Sequence, residues 1–323
     1  MKKKNPISAF LSSREGALAV FVVICFVVLC LTTNLVGSMF VYLRDLSYLL
    51  VGGLALMMVI LLGEIDISSG TVLGLIGFCS FTLVQRNVPL IICILVGMLN
   101  SLVVGFITVR FRVPSMIVSL AMVKLHIGLF SLLPNAGYVS NIDPAITAVG
   151  TMRIGPFPAM LFISFILLAF FCWLMKYTPY GRKVYAVGGS AESAVLAGIN
   201  SDKIKIKTYL VSGALLGVTA VMYWLPKTQV QPSSCMGMEM YFLPIAVVGG
   251  VSIMGGSGRP IGILVASFLI ALLQRASYLL DLGTQWMYLS YGVIVLVAVY
   301  SMFAEIPFLK KHGKTEKGGG GNA

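Results

Sequence analysis

The chain has 323 residues, of which 58% are hydrophobic and 11% are charged, and its formal net charge is +12. Its mean hydropathy is +0.97. These values exclude an ordinary soluble domain, in which about 25% of the residues are charged. Apolar runs of roughly 18 or more residues are long enough to cross a bilayer core of about 30 Å. The composition therefore predicts a membrane protein.

Ten apolar runs follow one another along the chain as candidate membrane spans. They comprise residues 17–36, 46–62, 71–84, 88–109, 115–133, 158–175, 208–225, 241–254, 260–274 and 286–304. The third, eighth and ninth runs are short and glycines flank them, which is typical of broken or re-entrant helices that line a cavity. We therefore expect an all-α polytopic membrane protein with about ten transmembrane helices, some of them broken or re-entrant, and a membrane domain over residues 17–309.

The basic residues predict the orientation of these spans. With a cytoplasmic N-terminus and ten spans, 17 of the 23 Lys and Arg residues lie in cytoplasmic segments. The external segments contain only Arg44, Arg86, Arg153, Lys227 and Arg275. The positive-inside rule then places both termini in the cytoplasm, with a basic segment at residues 1–16 and a disordered tail at residues 310–323. The positive charge matches anionic membrane lipid, and its spread over many loops argues against a nucleic-acid partner.

The chemistry of soluble enzymes is missing from the sequence. No Gly-x-x-x-x-Gly-Lys-Ser/Thr motif is present to hold ATP, and no Ser/His/Asp set or pair of carboxylates has a catalytic spacing. The six cysteines form no Cys-x-x-Cys motif, and only two histidines occur. We therefore expect no catalytic residue, no metal site and no cofactor held by this chain.

A polar interruption separates the second and third runs. Gly63-Glu-Ile-Asp-Ile-Ser-Ser-Gly70 contains the carboxylates of Glu64 and Asp66 and the hydroxyls of Ser68 and Ser69. Charged groups in a membrane are costly, so such residues usually face a cavity or a partner. Two interpretations remain open. The four residues contact a polar solute near the start of the next helix, or they form an interfacial turn in which Asp66 or Ser68 caps that helix.

Two further polar residues interrupt the fifth run. Lys124 could extend toward the interface or pair inside the protein, and His126 could form a hydrogen bond to another helix. Alternatively, both residues line a solute path. We also assign Gln274, at the end of the ninth run, to that path.

The most informative segment is the polar and basic stretch at residues 177–207, hereafter the polar segment. Gly188 and Gly189 are expected to break the chain there, and Ser190 is a good N-cap for a short helix over residues 191–197. Gly198 is expected to end that helix. So short a helix is unstable alone and needs a surface to dock on. That surface is either a protein partner or the lipid interface.

The short helix carries its own pattern of polar and apolar residues. Glu192 in its first turn suits the helix dipole, whereas Val195 and Leu196 give the helix an apolar knob. Basic residues flank the helix on both sides. This combination favours docking on a protein.

Several motifs in this order resemble those of a known family. The run Gly181-Arg182, Tyr185-Ala-Val-Gly-Gly189 and Glu192-x-Ala-x-x-x-Gly-Ile-Asn200 resembles the coupling loop of permease subunits from bacterial ATP-binding-cassette sugar importers. That family includes the ribose, galactose, xylose, arabinose and autoinducer-2 permeases. The further matching stretches are Gly63–Gly70, Arg112-Val-Pro114, Gln231-Pro232 with Gly237-Met-Glu239, and Gly249-Gly-Val-Ser-Ile-Met-Gly-Gly-Ser-Gly258.

The resemblance implies a fold of the type II importer kind and an importer built from several subunits. Two permease copies form the pathway, two cytoplasmic ATPase domains bind ATP and dock on the polar segment, and an extracytoplasmic binding protein delivers a monosaccharide or a related small solute. It implies a location in the bacterial cytoplasmic membrane. The residues implied to couple to the ATPase are Arg182, Gly188, Gly189, Glu192, Ala194, Leu196, Ala197 and Gly198. Those implied to contact the binding protein are Gln229, Gln231 and Glu239.

The chain departs from the family pattern near the expected solute path. Glu64 replaces a glycine of the first motif, Pro244 interrupts a run of small residues, and Ile127 replaces an arginine of the fifth span. These changes leave the sugar undefined. The alternatives kept open are an ion-coupled secondary transporter that uses Glu64, Asp66, Lys124 and His126, a branched-chain amino-acid permease of the same superfamily, and a membrane scaffold.

Overall fold

The computed structural model describes residues 14–32, 36–84, 91–133, 138, 144–281, 283, 285–286, 289–290, 292–293 and 296. Residues 1–13, the tail at residues 310–323 and most of the tenth predicted span lie outside this part of the chain. The fold of the described residues is helical, as expected. It also contains one two-residue hairpin, β1 (Arg153–Ile154) and β2 (Phe157–Pro158), with antiparallel pairing that the sequence did not predict.

The helices follow the predicted runs closely. In chain order they are α1 (Arg14–Thr32), α2 (Met39–Ile60), α3 (Ser69–Val84), α4 (Ile91–Phe111), α5 (Ser115–Leu132), α6 (Pro144–Gly150), α7 (Ala159–Tyr177), α8 (Pro179–Gly189), α9 (Ala191–Leu196), α10 (Ser201–Trp224), α11 (Glu239–Val248) and α12 (Pro260–Leu279). Single turns of 3-10 helix occur at Val36–Ser38 and Pro232–Cys235.

Six of the described helices are long and apolar enough to cross a membrane, namely α2, α4, α5, α7, α10 and α12. They differ in how much of their surface the protein covers. In the most apolar stretch of α2, 83% of the residues are buried, against 28% in α5. A helix that is apolar on all sides packs inside a bundle. Helix α2 is therefore the central helix, and α5 lies at the periphery, where its apolar face is available to lipid.

The short predicted runs divide into two kinds. The ninth run is not broken, since α12 extends beyond residue 274 to Leu279 and has 20 residues. The eighth run is interrupted as expected, because α11 has only 10 residues and ends at a turn that contains Gly250 with a φ of 86°. At about 1.5 Å per residue, α11 spans only about half of a bilayer core.

Glycines set the distance between α4 and α10, the most intimately packed helices of the bundle. A Cβ atom on Gly97 would lie 2.9 Å from the backbone nitrogen of Gly217, and one on Gly213 would lie 2.8 Å from the Cα atom of Met98. Small residues allow membrane helices to approach closely, so that dispersion contacts stabilise them without a hydrophobic driving force. This close pair holds α4 against α10 and brings Asn100 next to the chain break that precedes α3.

Candidate functional site

The polar segment contains two complete helices, α8 and α9, and the start of α10. Thr178 caps α8, and its Oγ1 atom accepts a hydrogen bond from the backbone nitrogen of Gly181 at 3.2 Å. Ser190 caps α9 by accepting from the backbone nitrogen of Ser193 at 3.2 Å. Gly198 has a φ of 76°, a left-handed conformation that favours glycine after a helix. The predicted cap and helix end are confirmed, with the last helical residue at Leu196.

The predicted chain break comes one residue later than expected, because Gly188 and Gly189 lie in the last turn of α8 and the extended residue is Ser190. The reason for glycine at position 188 is close packing. A Cβ atom there would overlap the carbonyl oxygen of Leu61 and lie 2.8 Å from the backbone nitrogen of Gly256. That nitrogen donates a hydrogen bond to Leu61 at 2.9 Å. Gly188 therefore lies where α8, the end of α2 and the turn before α12 meet.

Two tyrosines fasten α8 to other parts of the bundle. The hydroxyl of Tyr185 donates to the carbonyl oxygen of Gly258 at 2.6 Å, and the hydroxyl of Tyr180 lies 3.0 Å from Oγ1 of Thr208 on α10. Burial raises the pKa of both tyrosines, so both remain neutral donors at physiological pH. A displacement of α8 would therefore be passed on to α2, α10 and the turn before α12.

Helix α9 presents apolar side chains to the surroundings of the protein. Leu196 is 90% exposed and Val195 is 58% exposed, whereas Ala194 on the opposite side is buried. Of the other predicted coupling residues, Arg182, Gly189, Glu192, Ala197 and Gly198 are exposed, and Gly188 is buried. Helix α9 is therefore held against the protein through Ala194, while Val195 and Leu196 form an apolar knob that no other residue covers among those described.

A cavity of 640 Å³ lies beside α9. Glu192, Val195 and Leu196 line one part of it, and Arg112 and Pro114, in the turn between α4 and α5, line another. The polar segment and the Arg-Val-Pro motif, which are far apart in the sequence, therefore border the same space.

An ion pair lies at this end of the bundle. Nζ of Lys205 lies 2.6 Å from Oε1 of Glu64, and the two side chains are 22% and 13% exposed. Glu64 was predicted to lie on the solute path. It forms an ion pair with Lys205 of α10 at the end of the bundle that carries the polar segment, and its place on the solute path stays a prediction.

Removing either member of this pair should destabilise the protein more than removing both. Glu64→Gln leaves the ammonium of Lys205 without its counter-charge, and Lys205→Met leaves the carboxylate without a donor, so we expect a loss of about 1–3 kcal/mol for each. In the double variant no unpaired charge remains. Thermal unfolding of the four proteins in detergent gives the double-mutant cycle. Additive losses would show that the two side chains do not interact.

The second polar site lies deep in the bundle, where the chain breaks before α3. Oδ1 of Asp66 accepts hydrogen bonds from the backbone nitrogen of Ser68 at 2.9 Å and from its hydroxyl at 2.6 Å. Nδ2 of Asn100 donates to Oγ of Ser68 at 3.2 Å. Asn100 lies near the middle of α4, so the break lies at the same depth. We call residues 66–69 and Asn100 the polar break.

His126 joins α5 to this site. Its Nδ1 atom lies 2.9 Å from Oγ1 of Thr71, whose hydroxyl is also 3.2 Å from the carbonyl oxygen of Ser68. The predicted contact of His126 with another helix is confirmed. Lys124, by contrast, is exposed on α5 and forms no ion pair with the residues that the structure describes.

Several buried oxygens of the polar break and of the adjacent Glu239 lack a hydrogen-bond partner among the described residues. They are Oδ2 of Asp66, Oγ of Ser69, Oδ1 of Asn100 and Oε2 of Glu239. An unsatisfied buried polar group costs about 1–3 kcal/mol. Oxygens in this position are therefore suited to bind water or the hydroxyl groups of a polar solute.

Glu239 belongs to this site and not to an exposed surface. It is the first residue of α11, and a Cβ atom on Gly70 would lie 2.8 Å from its backbone nitrogen. The first turns of α3 and α11 thus meet inside the bundle. Converging N-termini of short helices provide free backbone donors for a polar solute.

The remaining predicted residues lie toward the opposite end of the bundle. Gln229 and Gln231 are both exposed on the loop after α10, and the hydroxyl of Tyr138 donates to Oε1 of Gln229 at 2.6 Å. Gln274 on α12 accepts a hydrogen bond from the hydroxyl of Tyr48 at 3.2 Å. It is therefore separate from the polar break.

Sequence reasoning did not single out Asn100, Thr71 or Lys205. Asn100 carried a usable signal, because an amide inside an apolar run is costly unless it has a partner. Lys205 carried none, since it is one of three basic residues in the sequence Lys203-Ile-Lys-Ile-Lys207. Only the packing of α10 against the residues after α2 selects it.

Comparison with known proteins places these sites in context. Residues 38–299 match the family described as branched-chain amino acid transport system / permease component. The ribose import permease protein of Haemophilus influenzae is 30% identical over 80% of this chain and 82% of its own length. The L-arabinose ABC transporter permease protein of Azospirillum brasilense is 30% identical over 90% and 87%.

The comparison also covers a more distant relative and a search of the solved structures. The autoinducer 2 import system permease protein of Yersinia pseudotuberculosis is 24% identical over 74% of this chain and 69% of its own length. No solved structure matches. The relatives are components of transport systems and not enzymes. The family match covers most of the chain and agrees with the helical bundle, and the chain therefore belongs to this family of membrane permease components.

Proposed function

We propose that this chain is the membrane-spanning permease subunit of an ATP-driven importer for a monosaccharide or a related small polar solute, with autoinducer 2 among the candidates. The family match and the relatives, which are named as ribose, arabinose and autoinducer 2 permeases, support this proposal. The family description also includes branched-chain amino acids. The polar lining of the break, with its carboxylates and hydroxyls, suits a polyhydroxylated solute better than an apolar side chain.

The observation that carries the coupling role is the anchored helix α9 with its exposed Leu196. Leu196 is 90% exposed and lies on a helix of six residues. A partner protein that covers this side chain would remove its apolar surface from water, which favours association. A separate ATPase subunit fits that requirement, because the sequence has no phosphate-binding motif of its own. Each of two ATPase domains would dock on one permease copy and bind the ATP. The chain would then need no cofactor of its own.

Movement would pass from the ATPase to the membrane helices through the contacts of α8. When the ATPase moves α9, the contacts of Gly188 with Leu61 and Gly256 would carry the movement to α2 and to the turn before α12. Helix α2 is central and precedes the polar break, and α11 precedes that turn. Movement at this junction would therefore change access to the polar break from either side.

The arrangement in the membrane follows from the same proposal. The polar segment and both termini face the cytoplasm of a bacterial cell, and the opposite end, with Gln229 and Gln231, faces a binding protein that delivers the solute. Glu64, Asp66, Ser68, Ser69 and His126 border the path from the polar break to the cytoplasmic end. Two copies of the chain, or one copy and a related subunit, form the pathway.

The test is purification of the tagged chain together with a candidate ATPase and a candidate binding protein from the same organism. We expect a complex that hydrolyses ATP. Uptake into proteoliposomes should require ATP on the side of the membrane on which the ATPase lies. An ion-coupled transporter would instead take up solute without the ATPase and lose uptake when an ionophore abolishes the gradients. That result would refute the proposal.

A further inference from the structure

A second cavity lies at the end of the bundle opposite the polar segment and takes no part in the coupling role. Its volume is 220 Å³, and α2, α10 and α12 border it. At roughly 30 Å³ per water molecule it holds about seven waters. This is room for a single small sugar.

The cavity combines hydrogen-bond donors and acceptors. The hydroxyl of Tyr48 donates to Oε1 of Gln274 at 3.2 Å, and this bond leaves the amide nitrogen of Gln274 as a donor. The carboxylate of Asp45 lies 3.6 Å from Nη2 of Arg44, a distance too long for a hydrogen bond. Both side chains of this loose pair can therefore bind hydroxyl groups, which donate and accept at the same atom.

An aromatic ring completes the lining. Tyr223 packs edge-to-face with Tyr48 at 5.2 Å between ring centroids, and Nζ of Lys227 lies 3.3 Å from the centre of the Tyr223 ring. The face of such a ring is electronegative and attracts electropositive groups. Lys227 already occupies one face of this ring, so a sugar in the cavity would meet the ammonium of Lys227 and the side chain of Tyr223 together.

Lys227 also lacks full solvation. Burial lowers the pKa of Lys227 to about 8, because its ammonium has lost part of its water. A hydroxyl of a bound solute would restore a hydrogen bond to that ammonium. Arg44 and Lys227 place two positive charges in the lining against the one negative charge of Asp45, so the polar groups of the cavity, and not its charge, favour a sugar.

We propose that this cavity is a monosaccharide subsite that receives the solute before it reaches the polar break. The proposal rests on the proposed function as a sugar importer and deepens it, since it names the residues that meet the sugar first. Tyr223 and Gln274 are the principal contacts, and Arg44, Asp45 and Lys227 surround them.

A labelling experiment tests the subsite without any partner subunit. Met222 is buried and lines the cavity, so Met222→Cys in nanodiscs should react with a small hydrophilic thiol reagent above the level of the unsubstituted chain. D-Ribose or L-arabinose at concentrations above their Kd should slow this reaction by about fivefold, by mass action. L-Leucine should not. Protection by neither sugar, or by leucine in their place, would overturn the subsite.

An uptake measurement provides the second readout. Gln274→Ala and Tyr223→Ala should each lower sugar uptake by about tenfold, because each removes contacts that together amount to about 1.4 kcal/mol. ATPase association should stay unchanged. Tyr278→Ala is the control, since Tyr278 is exposed near the end of α12 and does not line the cavity. Uptake at the normal rate in both cavity variants would refute the subsite, whereas failure of the unsubstituted chain to bind an ATPase would refute only the importer.

Discussion

Leu196→Asp is expected to abolish association with the ATPase while the permease remains folded in the membrane. Leu196 is 90% exposed, so the change removes no contact from the folded permease. At the centre of an interface such a side chain contributes about 2–4 kcal/mol, and the new carboxylate would be desolvated on docking. We expect at least about a thirtyfold loss of affinity. Co-purification and binding measurements with the ATPase give the result.

Ala186→Asp is the matched control for this prediction. Ala186 is exposed on α8, and the variant introduces the same charge into the same segment without altering the apolar knob of α9. It should keep most of the affinity. If Leu196→Asp also binds normally, the ATPase does not dock on α9.

Two other substitutions disturb the docking surface by different routes. Glu192→Lys reverses the charge in the first turn of α9, where a negative charge suits the helix dipole. Gly198→Trp forces a large side chain into a backbone with a φ of 76°. Each should abolish import and leave the protein inserted, and normal uptake in both would contradict the docking proposal.

Gly188→Ala is expected to destabilise the junction of α8 with α2, whereas Gly189→Ala should have almost no effect. A methyl group at position 188 would overlap the carbonyl oxygen of Leu61, and the backbone must shift to accept it. Overpacking of this kind costs about 1–3 kcal/mol. At position 189 a methyl group meets no atom within 4 Å among the described residues. The melting temperature in detergent should fall by about 5 °C for the first variant only.

The same pair of variants reports on coupling. Because α9 keeps its exposed face, Gly188→Ala should still bind the ATPase but should lose most ATP-driven uptake. Gly189→Ala should transport at the normal rate. Equal behaviour of the two variants in stability and uptake would show that the contact between Gly188 and Leu61 has no role in transmission.

The positions of most helices followed from the sequence because apolar run length is a direct physical requirement of the bilayer. Residues 115–133 were predicted as a span, and α5 comprises Ser115–Leu132. The caps of α9 were equally predictable, since Ser190 and Gly198 act on backbone atoms only a few residues away. Local interactions of this kind need no knowledge of the rest of the fold.

Predictions that depended on distant contacts were less successful. The pair Gly188 and Gly189 predicts a chain break, but the small size of Gly188 serves the approach of Leu61, which is more than 100 residues away in the sequence. Glu64 was grouped with Asp66, yet Lys205 holds it at one end of the bundle while Asp66 lies at the polar break. The neighbouring residues do not distinguish a glycine that breaks the chain from one that allows close packing. They also do not distinguish a glutamate on a solute path from one in an ion pair.

The sequence by itself determined that this protein crosses the membrane, that it carries a capped polar segment and that it contains no Gly-x-x-x-x-Gly-Lys-Ser/Thr motif. Each of these follows from composition or from spacing over a few residues. The tertiary structure decided which polar groups meet, because the polar break needs the depth of Asn100 on α4 and the arrival of Glu239 beside Gly70. It also decided that α8 is fastened to α2 and α10, since that depends on packing between segments far apart in the chain.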